Sequence, residues 1–238
     1  MNLILDTWNN DTYNSFINLL NDNSDMKYQI FHKNLLNSDI NLIGVRTPVL
    51  KDIAKQISKG NYLEYITLNK HQTYEEILIH GLIIGYIKED INRIIDMLNE
   101  FIPYINNWAV NDIVAANIKI FKKEQTIGFL TIKKYIASNN NWEVRFGLVL
   151  LLAHYINNDY IDHILKISSS INTDDYYVKM ANAWLISVCY IKYPDKTIKL
   201  FKMANLDHWT NNKAIQKIKE SYRVNKENKA KLDVYKKQ

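Results

Sequence analysis

The chain has 238 residues, 47% hydrophobic and 23% charged, a globular balance with enough apolar content for a sizeable core. No apolar run approaches the ~20 residues of a membrane span, the N-terminal stretch MNLILDTWNNDTYNSF lacks the basic n-region of a signal peptide, and a lone cysteine excludes a disulfide framework within one chain. The expectation is a single domain over 1–238, cytoplasmic, not associated with membrane, with Cys189 in the core of the run AWLISVCYI. The net charge of +5 is lopsided: residues 211–238 carry nine Lys or Arg against Glu220, Glu227 and Asp233, a local charge of +6 that leaves the remainder near neutral. A basic end favours a polyanion, with a solvated lysine-rich helix as the plain alternative.

Six glycines and three prolines punctuate the chain, and apolar residues recur at helical spacing almost throughout, so the fold class is all-α. The periodicity predicts helices over 10–21, 25–37, 47–58, 72–87, 90–102, 108–122, 124–137, 141–156, 159–168, 173–191, 194–203 and 210–222. Turn-like clusters NKHQT, SNNN, NND and INTDD separate them, Gly44 reads as a turn, and Pro48 and Pro194 fit the first turn of a helix. Trp108 and Trp142 are 34 residues apart and Trp142 and Trp184 are 42 apart, which resembles, with the variation of degenerate repeats, the ~40–47-residue period of HEAT-type helix pairs. The leading architecture is an α-solenoid whose second helices line a concave face, and a compact irregular helical bundle is the alternative.

Candidate chemistry follows the same repeat. Trp108 and Asp112 in NNWAVNDIV are four residues apart and share a helix face, with Arg145 in NNWEVRFGLVLL and Trp184 in DDYYVKMANAWLIS at matching places further on. Indole faces attract a cation, a carboxylate adds negative charge, and the guanidinium fork suits phosphate, so a cationic base on a DNA backbone fits this set. The duller readings are interhelical packing for the indoles, a backbone or Asn partner for Asp112 and an ion pair with Glu143 for Arg145. Trp142 is read as core. Asn106, Asn107 and Asn111 are expected to make the surface around Trp108 polar. Lys213, Lys217 and Arg223 form a candidate backbone-binding edge, Arg46 in LIGVRTP could touch a phosphate, and Tyr28 could line the groove. None of His32, His71, His80, His154, His163 and His208 has HExxH-like spacing, so no metal site is expected.

These segments, with LIGVRTPVLKDIAKQI at 42–57 and NKAIQKIKESYRV at 212–224, resemble the AlkD-like DNA alkylation repair family of HEAT-like-repeat DNA glycosylases, over about residues 28 to 224. The resemblance implies a C-shaped, right-handed solenoid that binds duplex DNA in its concave face and hydrolyses the N-glycosidic bond of cationic N3- or N7-alkylated purines. It implies no cofactor, a monomer and no obligate protein partner. Trp108 and Asp112 resemble the family's catalytic Trp-x-x-x-Asp pair, Trp184 the second aromatic wall, and Arg145 the arginine at the DNA backbone near the lesion. A non-catalytic DNA-binding relative and a HEAT-like protein-interaction scaffold are the competing readings.

Overall fold

The computed structural model describes residues 1–36, 38–203 and 205–238. Helices account for 71% of the chain, and no strand occurs among the described residues, which establishes the all-α class. The chain divides into two compact units, Met1–Glu124 and Gln125–Gln238.

The first unit runs through α1 (Asn10–Asp22), α2 (Met26–Leu36), α3 (Thr47–Ile57), α4 (Tyr62–Leu68), α5 (Tyr74–Tyr86), α6 (Ile91–Phe101), a 3-10 turn at Ile102–Tyr104, α7 (Trp108–Asn117) and the short α8 (Ile120–Lys123). Its spine is α5, which packs between α3 and α7 and against α6. Eleven consecutive residues of α5, Tyr74 to Ile84, are buried, as expected of a helix apolar on every side. α6, by contrast, buries one stripe, Ile91, Ile94, Met97, Leu98 and Phe101, and leaves its other face to water. The start of α5 is fixed twice. Thr73 and Glu76 form a capping box, and the fully buried Glu75 carboxylate accepts the backbone N–H groups of Ile43, Gly44 and Val45 at 3.0, 2.7 and 3.1 Å. Gly44 turns there with φ of +98°, the turn expected of it, and Pro48 stands in the first turn of α3.

The second unit contains α9 (Gln125–Ile136), α10 (Asn141–His154), α11 (Ile161–Ser170), α12 (Tyr176–Lys192), α13 (Pro194–Lys202), α14 (His208–Glu220), α15 (Lys226–Lys231) and a 3-10 turn at Asp233–Tyr235. Here α12 is the spine, flanked by α10 and α14 and backed by α11 and α13. Asn140, Asp175, Asp207 and Asn225 cap α10, α12, α14 and α15 by accepting first-turn N–H groups. Cys189 is buried in α12, where desolvation pushes its thiol up to about 12, as suits a core cysteine.

Most ends shift by one to three residues, and three larger departures from the periodicity stand out. The helix expected over 108–122 stops at Asn117, because the Asn117 side chain turns to donate to the Leu82 carbonyl of α5 at 3.1 Å. Only glycine fits opposite it, since a Cβ on Gly85 would meet Asn117 Nδ2 at 2.2 Å. α4 and α15, seven and six residues long, are additional elements that carry too few turns to show a period.

Candidate functional site

In the first unit, α7 presents a narrow open edge. Asn107 caps it by accepting the Val110 N–H at 3.0 Å, which places Trp108 at the first helical position and Asp112 one turn later. Ala109, Val110, Asn111, Val114 and Ala115 are buried, whereas Trp108 and Asp112 are half-buried on the exposed stripe that continues to Ala116. The indole and carboxylate thus share the side of the helix that a ligand can reach. The polar surface expected around them is corrected: Asn107 and Asn111 are 2% and 0% exposed, drawn inward by capping and packing, and only Asn106 faces water.

Tyr28 and Arg46 also come together in this unit. The Arg46 guanidinium lies 5.1 Å from the Tyr28 ring centroid, and its Nη2 pairs with Asp25 Oδ2 at 2.7 Å. The Tyr28 backbone N–H and then Arg46 hold the Asp25 carboxyl below the usual carboxylate range. Arg46 remains largely exposed, so it can exchange Asp25 for another anion at little cost.

In the second unit, Met180, Trp184 and Val188 form the half-buried stripe of α12, at i, i+4 and i+8. Trp184 lines a groove of about 410 Å³ together with Val188, Ile191, Lys217, Tyr222 and Arg223. The groove unites three residues singled out in the sequence, Trp184, Lys217 and Arg223. Burial is the main influence that lowers the Lys217 pKa, Lys213 and Arg145 add to it, and Glu220 opposes it. Cations therefore converge at this end of α14. Lys213 belongs to the same stripe, with its Nζ 5.6 Å from the Trp209 ring centroid and hydrogen-bonded to Gln216 Oε1 at 2.8 Å.

Arg145 is 3% exposed, and its Nη1 donates to the Tyr177 carbonyl at 2.5 Å, so it braces α10 against the first turn of α12. Glu143 is engaged by the Ser138 hydroxyl at 2.7 Å. Trp142 is half-buried rather than core and packs on the Tyr177 ring at 5.0 Å. From there aromatic contacts continue through Tyr176 to Trp209, at 5.4 and 5.7 Å. This aromatic row, and Tyr222, escaped the sequence reading. Trp209, Lys213 and Lys217 do stand at i, i+4 and i+8, the spacing that could have exposed part of it.

The basic C-terminal segment is folded onto α14. Asp233 takes Lys219 and Lys236, each at 2.8 Å, which together hold its carboxyl at about 2, and Glu227 takes Lys231 at 2.7 Å. Asn211 and Asn212 donate to the Tyr235 and Lys237 carbonyls at 2.9 Å. Several of the tail lysines are thus neutralised locally, while Lys217 and Arg223 line the groove and Lys213 stands one turn before Lys217. Among the described residues no group of His, Cys, Asp and Glu side chains could hold a metal ion, and no helix is long and apolar enough to cross a membrane.

A family model described as DNA alkylation repair enzyme matches residues 14–218, which spans α7, α10, α12 and nearly all of α14. No curated protein and no solved structure matches the chain.

Proposed function

The chain belongs to the DNA alkylation repair enzyme family, and on that premise we propose that it is a monofunctional glycosylase that hydrolyses the N-glycosidic bond of cationic N3- or N7-alkylated purines in duplex DNA. The observation that carries this reading is the open edge of α7, where Trp108 and Asp112 are half-buried side by side while their neighbours are packed inward. An alkylated purine already bears a positive charge and leaves without protonation. The enzyme has to stabilise the positive charge that develops on the sugar as the C1′–N bond breaks, and to direct water to C1′. Asp112 is assigned both tasks: its carboxylate faces the developing cation and orients the attacking water, whose proton is released to solvent. The base departs neutral and the sugar is left as an abasic site. Trp108 is assigned to holding the cationic base through cation–π and edge contacts, worth ~1–2 kcal/mol when desolvated, and Trp184 to an aromatic contact with the DNA in the second unit.

The DNA backbone is assigned to Lys213, Lys217 and Arg223 in the second unit and to Tyr28 and Arg46 in the first. Arg145 is assigned a contribution through its charge, since it is 3% exposed and its Nη1 donates to the Tyr177 carbonyl. In this reading the protein works as a monomer of HEAT-like repeats, without a cofactor. It is tested by incubating the protein with duplex DNA containing 7-methylguanine. The expected products are free 7-methylguanine and an abasic site; tight binding without release of any N3- or N7-alkylated base would leave a non-catalytic DNA-binding protein instead.

A further inference from the structure

Tyr222 is fully exposed, at 104% of its reference surface, in the loop between α14 and α15. Its ring buries nothing within the chain, so folding gives no reason for an aromatic residue there. The loop around it is nevertheless held firmly. Ser221 donates its N–H to the Ile218 carbonyl at 3.1 Å, the Arg223 N–H reaches Ser221 Oγ at 3.2 Å, Val224 is buried, and Asn225 caps the next helix. Tyr222 and Arg223 are therefore presented from a fixed turn and share the Trp184 groove with Lys217. Glu220, also in the groove, accepts a hydrogen bond from Gln216 at 2.7 Å, so the two cations outweigh it.

Aromatic faces beside cations, in a cleft of about 410 Å³, form a platform for a base joined to a phosphate. A base inside a duplex has both faces covered by its neighbours, so only an unstacked one can use an aromatic platform. We propose that the Trp184–Tyr222 groove seats one unpaired nucleotide of the DNA, its base stacked on the Tyr222 ring and its phosphate held by Lys217 and Arg223. This inference rests on the DNA-binding reading above and adds the structural state of the DNA that the second unit prefers: a nucleotide freed from its partner, as at a bulge, rather than an intact pair.

The test uses the full chain and two short duplexes of the same sequence, one fully paired and one with a single bulged 2-aminopurine, with affinity read by fluorescence anisotropy. The wild-type protein should bind the bulged duplex more tightly, and Tyr222→Ala should weaken that complex about tenfold, the usual effect of removing one stacking partner, with a much smaller effect on the paired duplex. Tyr222→Phe should retain the preference, and 2-aminopurine should be dimmer in the wild-type complex than in that of Tyr222→Ala. Because the ring is exposed, the alanine variant should fold normally, which its circular dichroism verifies. Equal affinity of the wild type for both duplexes, or a bulge preference that survives Tyr222→Ala, overturns the nucleotide seat alone. Binding to neither duplex overturns the seat together with the DNA reading.

Discussion

Arg145→Ala separates two jobs that one side chain can hold. At 3% exposure, with Nη1 on the Tyr177 carbonyl, the guanidinium is a brace between α10 and α12 before it is anything else. A hydrogen bond from a charged donor contributes ~1.5–3 kcal/mol, and the carbonyl left behind is only partly buried, so about 2 kcal/mol is the fitting value for this bond. The packed methylene stem adds ~1 kcal/mol. A loss of about 3 kcal/mol corresponds to a fall in melting temperature of roughly 6–12 °C for a chain of this size. Thermal unfolding followed by circular dichroism or calorimetry reads it directly. In parallel, the Lys217 pKa should rise once the repelling Arg145 charge is gone, which NMR titration of the lysine can follow. Arg145→Lys should fall between, since an ammonium keeps one donor and the charge but loses the planar fork. A variant that melts like the wild type while losing most of its DNA affinity would refute the brace and make Arg145 a direct backbone ligand.

Asp112→Asn should fold and bind DNA almost normally while single-turnover base release falls by ~10²–10³, the usual cost of one positioned electrostatic group; a stable, fully active variant removes Asp112 from the mechanism. Replacing Lys213, Lys217 and Arg223 together by Ala should weaken binding to any DNA sequence about equally and flatten its dependence on salt concentration, and a sequence-dependent loss in the affinity series would contradict a phosphate role. Acid should loosen the first unit through the buried His80, whose Nδ1 meets His71 Nε2 at 2.8 Å and whose pKa burial and His71 push down to about 3. The unfolded chain takes up that proton first, so stability is full above about pH 6.5 and declines as pH falls towards about 3, at up to ~1.4 kcal/mol per pH unit. His71 is shifted the same way by burial, against the field of Glu76, and a His80→Phe protein that keeps the full acid sensitivity of its melting temperature would show that other groups are responsible.

Helices such as α6 were legible because they bury a stripe whose period survives in one dimension: the pattern of Ile91, Ile94, Met97, Leu98 and Phe101 can be read without a structure. The stop at Asn117 was not, because its cause lies in the Leu82 carbonyl and in Gly85, residues more than thirty positions away. The candidate site divides in the same manner. Trp108 with Asp112, and Lys213 with Lys217, are local i, i+4 pairs and were visible as such. That Arg145 turns inward depends on where the Tyr177 carbonyl lies, and that Tyr222 is fully exposed at the edge of the Trp184 groove depends on how the turn after α14 folds, neither of which spacing encodes.

Under the DNA-binding reading proposed above, the folded tail bears on how this protein would find a polyanion. A basic segment that stayed extended could sweep ~3.3 Å of space for each of its residues and snare DNA at a distance. Here Asn211, Asn212 and Lys219 fasten the 3-10 turn and the residues after it to α14, so the charge is stationary. Its capture range is then set by the solution, roughly 8 Å at physiological ionic strength, and no longer by the length of the chain. Encounter becomes a matter of docking a rigid basic surface, sharply sensitive to salt, and a phosphate that arrives meets the groove already in place.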